Sequence, residues 1–197
     1  QSMYAGSNDK FLKNSLNTVD KQIVTLTKLI SELLDLSKIK AGSLVLNQES
    51  FKINDLVKDI IAEIKHTNSG KNIIFSKSAN PDVYADRDRI GQVLINFLTN
   101  AVKYSPDSLN IKVKSVIKGN DVIISVHDSG IGINKTDQEK IFQRFYRVEG
   151  KNEKTFPGFG IGLFIASEII KRHEGEIAVQ SEPGKGSVFY FSLPLLK

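Results

Sequence analysis

Asn96-Phe-Leu-Thr-Asn100-Ala-Val-Lys103-Tyr104-Ser105 is the stretch on which the reading of this chain turns. Ile90, Val93, Leu94, Phe97 and Leu98 recur at helical spacing, which predicts a helix from Asp86 to Tyr104 with one apolar stripe. Asn96 and Asn100 are four apart and share a face, with Lys103 a turn further on. Two neutral oxygen ligands beside a cation suit a hydrated magnesium ion and the phosphates it bridges. Tyr104 and Ser105 end the helix, where an aromatic ring can stack on a base. Solvated helix faces usually carry Glu and Lys. Taken alone, the two asparagines divide evenly between an ordinary polar face and a site.

Three more elements follow in order. Asp128-Ser-Gly130-Ile-Gly132 comes off the end of a predicted strand. A carboxylate there can accept from an exocyclic amine, and the glycines let backbone approach a ligand. By itself the pattern is ordinary turn chemistry. Phe142-Gln-Arg-Phe145 reads as a short helix around Ile141 to Phe145, its two rings at core spacing. Next come Arg147, Lys151 and Lys154, in a segment with Gly150 and Pro157 that reads as a mobile lid. Gly158-Phe-Gly160-Ile-Gly162-Leu163 then opens a helix running to His173, so backbone N–H groups at its start can receive phosphate. The spacing fits neither the dinucleotide fingerprint nor the P-loop, which needs Gly-Lys-Ser/Thr. Together the four elements read as one nucleotide pocket.

Around them the chain is of ordinary globular composition. It has 197 residues, 40% hydrophobic and 25% charged, with a net charge of +5. The basic residues are scattered and not interleaved with aromatics, which argues for a phosphate-bearing ligand and against nucleic acid. With no Cys, disulfides, thiolate metal sites and thiol catalysis are excluded, and a reducing compartment is suited. No run approaches the roughly 18 apolar residues of a membrane span. Gln1-Ser2-Met3 looks like the scar of a cleaved expression tag, so residues 1–3 are set aside and the chain is expected to be a fragment of a longer protein.

Leu12, Leu16, Val19, Ile23, Leu26, Ile30, Leu33 and Ser37 alternate spacings of 4 and 3, a narrow heptad stripe on one helix. Asp9 is its expected N-cap and Ala41-Gly42 its stop. Such a stripe needs other helices, though it can also lie on a following domain. Further on, Leu44–Leu46 and Glu49–Phe51 read as short strands flanking a turn. Ile53–Lys65 reads as an amphipathic helix with Asn54 as cap, broken at Asn68 to Asn72, and a strand starts at Ile73. Asn110–Ile117 and Asp121–His127 form a predicted hairpin, as do Ile177–Gln180 and Ser187–Leu193. The expected fold class is α+β, a two-layer sandwich of helices on one face of a mixed sheet, preceded by one long helix.

The four elements, in this order, resemble the N box, first glycine box, F box and second glycine box of the sensor histidine kinases. That family shares its nucleotide-binding fold with gyrase, Hsp90-type and MutL-type ATPases. The helix ending Leu33-Leu34-Asp35-Leu36-Ser37 resembles the second helix of the family's dimerisation and phosphotransfer bundle. The resemblance implies residues 4–42 as one helix of an incomplete bundle and residues 43–197 as an ATP-binding catalytic domain. It implies that Asn100 holds magnesium with Asn96 beside it, that Lys103 contacts phosphate, and that Arg147 approaches the terminal phosphates. It places Tyr104 on the adenine ring and Asp128 on its amine. Gly130, Gly132, Gly158, Gly160 and Gly162 give the loops their reach, and Ile133, Phe145 and Leu163 complete the ATP-binding set. Relatives that hydrolyse ATP carry Glu where Asn96 stands, and an amide cannot take a proton from water. Asn96, Lys103 and Arg147 are therefore expected to serve transfer of the γ-phosphate to protein rather than to water.

One part of the pattern is missing. The family's acceptor histidine sits on the first bundle helix, followed by an acid and a nearby Pro. Neither His66 nor His127 has that context, and His173-Glu174 is cut short by Gly175. The expected activity is that of a protein-histidine kinase whose acceptor lies outside this sequence. Expected partners are a response regulator receiver domain and a second copy in the parent, with no nucleic acid and no membrane contact. The expected location is the cytoplasm, an inner-membrane anchor of the parent being left open. The alternatives are an anti-sigma-type protein-serine kinase, which generally lacks the heptad helix, and a degenerate nucleotide-binding signalling module.

Overall fold

The computed structural model describes residues 3–67, 71–105, 110–148 and 159–196. The chain divides into two compact units, Gln1–Leu44 and Val45–Lys197. The first holds helix α1 (Met3–Lys40). Asp9 lies inside this helix and does not start it, because the preceding residues include no Pro and a single Gly costs only about 1 kcal/mol in a helix. The stop is where the sequence places it. Gly42 has φ +66°, its N–H donates to the Ile39 carbonyl at 3.1 Å, and that of Ser43 donates to Lys38 at 2.9 Å. Leu12, Leu16, Val19, Ile23, Leu26, Ile30 and Leu33 are all more than half exposed. No helix among the described residues is long and apolar enough to cross a membrane.

The second unit is a mixed sheet covered by helices. Strands β1 (Glu49–Lys52) and β3 (Asp82–Ala85) form a small antiparallel ribbon. Strands β2 (Asn72–Lys77), β4 (Asn110–Lys118), β5 (Asp121–His127), β6 (Ile177–Glu182) and β7 (Gly186–Pro194) form the main sheet in the order β2-β4-β5-β7-β6. Only the β2–β4 pair is parallel. Burial alternates with period two: Ile111 and Val113, then Val122, Ile124 and Val126, then Phe189, Phe191 and Leu193 point into the core. Helices α2 (Ile53–Thr67), α3 (Arg87–Tyr104) and α5 (Gly162–Arg172) pack on that face. Phe97 of α3 is fully buried, with its ring centroid 5.4 Å from that of Phe189 and 6.1 Å from that of Phe191. Helix α4 (Lys135–Gln138) and a 3-10 turn (Lys140–Phe142) lie between β5 and α5.

Several local expectations are corrected. Leu44–Leu46 is not a strand. The Asn47 N–H donates to Asp86 Oδ2 (2.8 Å), and the partner of β1 is β3, a four-residue strand too short to announce itself. Asn54 does not cap α2, since it lies within the helix; its own N–H donates to Asn80 Oδ1 (3.0 Å), so a residue from the far side of β2 does the capping. Phe142 ends the 3-10 turn, and Phe145 lies beyond it at φ +62°, so no single helix carries both rings. The break at residues 68–70 and the lid residues 149–158, including Lys151 and Lys154, lie outside the described residues.

Helix α5 ends in the same hydrogen-bond pattern as α1, but Glu174 occupies the left-handed position at φ +57°. Its N–H donates to Lys171, and that of Gly175 donates to Ile170, both at 3.1 Å. A left-handed non-glycine residue costs roughly 1–2 kcal/mol, and glycine removes that cost. Glu174→Gly should therefore raise the stability of the chain by about 1 kcal/mol in urea unfolding with an unchanged m-value. A loss of stability would contradict this account of the helix end.

Candidate nucleotide site

Helix α3 carries the site because its two faces are chemically opposite. Ile90, Val93, Leu94, Phe97, Leu98 and Ala101 form the buried stripe, which leaves Asn96 and Asn100 half-buried at its edge. Asn100 Nδ2 donates to Asn96 Oδ1 at 3.0 Å, so the two amides are coupled as their spacing predicts. The start of α5 lies directly against them: a Cβ on Gly162 would collide with the Asn96 amide. The residue before it, Ile161, provides no side-chain cap, and the first turn of α5 contains no acid. Its leading N–H groups thus lie beside the Asn96 amide, an arrangement chemically suited to an anion. Leu163 is half-buried in that same turn.

The other end of α3 meets the first glycine segment. The Tyr104 carbonyl accepts from the Ile131 N–H at 3.2 Å, and a Cβ on Gly130 would strike that carbonyl. Asp128 is held by two ladder bonds to Ser187 (2.9 and 3.3 Å) and accepts at Oδ1 from the Gly130 N–H (2.8 Å). Burial pushes its carboxyl above the ordinary value, with the N–H groups of Gly130 and Ser187 pulling the other way. Lys103 Nζ lies 4.7 Å from the Tyr104 ring centroid, a half-buried cation–π pair worth about 1 kcal/mol. Lys103 and Tyr104, assigned by sequence to different parts of a nucleotide, here meet each other.

The remaining residues divide. Gly132 and Gly160 both have φ +69°. Phe145 is 59% exposed, not core, and its N–H donates to the Gly160 carbonyl at 2.9 Å, joining the F segment to the second glycine segment. Arg147 is half-buried just beyond Tyr146, whose hydroxyl donates to Asp137 Oδ1 at 2.8 Å. Gly158 lies outside the described residues. A separate open cleft of about 550 Å³ at the start of α3, lined by Asn47, Glu49, Arg87 and Gln92 among others, contains none of these residues.

Sequence reasoning missed the supports of the loop. The Ile133 N–H donates to Ser181 Oγ (2.8 Å), and Gln138 Nε2 donates to the Ile133 and Ser181 carbonyls (3.0 and 2.8 Å). Ser181 is 48 positions from Ile133, so no local pattern could reveal it. His173 is also settled by contacts. It is buried, its Nε2 accepts from the Asp86 N–H at 2.9 Å, and Nδ1 lies 2.8 Å from the Ile169 carbonyl as donor. His127 is half-buried on the outer sheet face, 3.0 Å from Ser125 Oγ; burial, then Lys114 and Lys112, hold its imidazole below the usual value. Among the described residues, no group of three or more His, Cys, Asp and Glu could hold a metal ion.

The chain is 36% identical over 184 residues to the adaptive-response sensory kinase SasA of Microcystis aeruginosa, covering 90% of this chain and 47% of that protein. It is 35% identical over 189 residues to the sensor histidine kinase WalK of Bacillus subtilis, covering 94% and 30% respectively. It thus spans half or less of the length of these relatives. Among solved structures it is similar to full-length ShkA in complex with AMPPNP, with a TM-score of 0.79 at 25% identity, over 94% of this chain and 39% of that one. Residues 85–197 match the family described as histidine kinase-, DNA gyrase B- and HSP90-like ATPase. With more than half its length in that match, and the N-box face of α3 set against an uncapped α5, the chain belongs to this ATPase family and within it resembles the sensor histidine kinases.

Proposed function

We propose that residues 43–197 are the ATP-binding catalytic domain of a sensor histidine kinase, and residues 4–42 one helix of its dimerisation bundle. The carrying observation is the juxtaposition of the Asn96–Asn100 face with the uncapped N-terminus of α5. Asn96 and Tyr104 are eight residues apart, about 12 Å along the helix at 1.5 Å per residue. Adenine sits at the Tyr104 end, its amine donating to Asp128, and the phosphates sit at the Asn96 end. The α5 N–H groups receive them and Arg147 adds positive charge, joined by Lys103 once its Nζ leaves the Tyr104 ring. Paired amide oxygens fit a magnesium ion that keeps several waters; Asn100, with Asn96 beside it, would hold it, and it would supply neutralisation of phosphate charge. Asn96 has no basic atom to activate water. The γ-phosphoryl P–O bond therefore breaks only when an imidazole nitrogen of an acceptor histidine forms the new N–P bond, with ADP leaving. From there the phosphoryl group passes to a response regulator. Burial and engagement of both ring nitrogens keep His173 from being that acceptor.

Three outcomes follow from this assignment. The magnesium complex of an ATP analogue should bind by calorimetry, and Asp128→Asn should weaken it by roughly tenfold or more, the value of a lost charged hydrogen bond; absence of binding by the unaltered chain would refute the ATP site. Analogue affinity should fall on acidification, because protonation removes an acceptor, and the fall should begin above the ordinary carboxylate range since burial raises the Asp128 carboxyl. Asp128→Asn should flatten that profile; an equally steep profile in the variant would assign the titration elsewhere. Labelled ATP should leave no acid-labile phosphate on this chain alone, and phosphate mapped to His173 would overturn the account.

A further inference from the structure

His173 is a buried side chain with two specific bonds that the proposed chemistry does not use. Its Nδ1 donates within its own helix, to the Ile169 carbonyl. Its Nε2 reaches across to α3 and accepts from the backbone N–H of Asp86, the residue that caps α3. Asp86 in turn accepts at Oδ1 from the Arg89 N–H (3.0 Å) and at Oδ2 from the Asn47 N–H (2.8 Å). The start of α3 is thus tied to the end of α5 through one imidazole.

The placement of the tie matters. Gly162 at the start of α5 lies against Asn96, and His173 at its end lies against Asp86, so the two helices run antiparallel and meet at both ends. Asp86 and Asn96 are ten residues apart, about 15 Å of helix axis at 1.5 Å per residue. Between these points the two packed helices bury apolar side chains, Ile90 and Val93 on α3 and Ile165 and Ile169 on α5. Apolar packing is non-directional and tolerates small sliding, whereas a hydrogen bond between buried groups fixes the axial register. The register of α5 on α3 is what decides where its N–H groups stand relative to the Asn96 amide.

We propose that His173 is a positioning residue for phosphate binding: by pinning the end of α5 to the cap of α3, it sets the α5 N-terminus against Asn96 at the far end of the pair. The proposal rests on the reading of this pocket as an ATP site. An ångström of misplacement from a distant substitution can cost up to about a hundredfold in a reaction, and the effect should fall on the phosphate end of the ligand only.

Two variants separate positioning from mere packing. A Gln side chain reaches the position of Nε2, whereas Asn ends at that of Nδ1 and cannot bridge to Asp86. In calorimetry on the full chain, His173→Asn should weaken the magnesium complex of AMP-PNP on the order of tenfold and leave the affinity for adenosine, which has no phosphates, unchanged. His173→Gln should restore AMP-PNP affinity. Unaltered AMP-PNP affinity in His173→Asn, or an equal loss for both ligands, would overturn the proposal. Failure of the unaltered chain to bind either ligand would instead sink the ATP-site reading, and the proposal with it. A measurement free of any variant is the ring nitrogen resonances of His173. They should show Nδ1 carrying the proton and Nε2 accepting, both with and without magnesium AMP-PNP, and the opposite tautomer in either state would overturn the proposal even if neither variant folds.

Discussion

The arrangement depends on the burial of Phe97 between Phe189 and Phe191. A helix has one azimuth relative to its sheet, and the largest fully buried side chain selects it. Once Phe97 points at β7, residues 96 and 100 lie at the margin of the buried stripe, half-covered and facing along the layer. That is where α5 begins. The apolar contact therefore orients the polar one, and the site inherits its precision from the core rather than from its own weak amide hydrogen bond.

The backbone does much of what remains. Gly162 and Gly130 mark the places where α5 and the first glycine segment touch α3 so closely that a methyl group has no room. Each brings backbone N–H groups close to α3, those of α5 beside the Asn96 amide and that of Ile131 onto the Tyr104 carbonyl. Asp128 shows the accompanying compromise. Burial raises the energy of its charged form, and the N–H groups of Gly130 and Ser187 offset part of that cost.

Helix α1 obeys a different economy. Seven apolar residues of its stripe are more than half exposed, while its end is closed by a specific glycine motif. The stop is local and complete. The apolar stripe is not satisfied within the helix, which is the condition expected of a segment whose partners are other helices.

Legibility in the sequence followed the range of the interaction. Periodicity was enough for α3, the β4–β5 and β6–β7 hairpins and the heptad stripe, because each is governed by contacts among near neighbours. Helical spacing was enough to put Asn96 and Asn100 on one face, and their hydrogen bond bears that out. Where pairing spans long stretches of chain, local reading failed: β3 is visible only as the partner of β1, Asn80 replaces Asn54 as the cap of α2, and Ser181 supports Ile133 from 48 positions away. Phe145 and Glu174 sit in left-handed backbone that neither residue type favours, so their conformations come from the hydrogen bonds around them. By itself, then, the sequence determined the long helices, the two main hairpins and what chemistry their polar faces offer, since those depend on side-chain period and type. Only the tertiary structure decided which helix start meets Asn96 and that His173 is a strut, because those outcomes depend on how distant segments pack against one core.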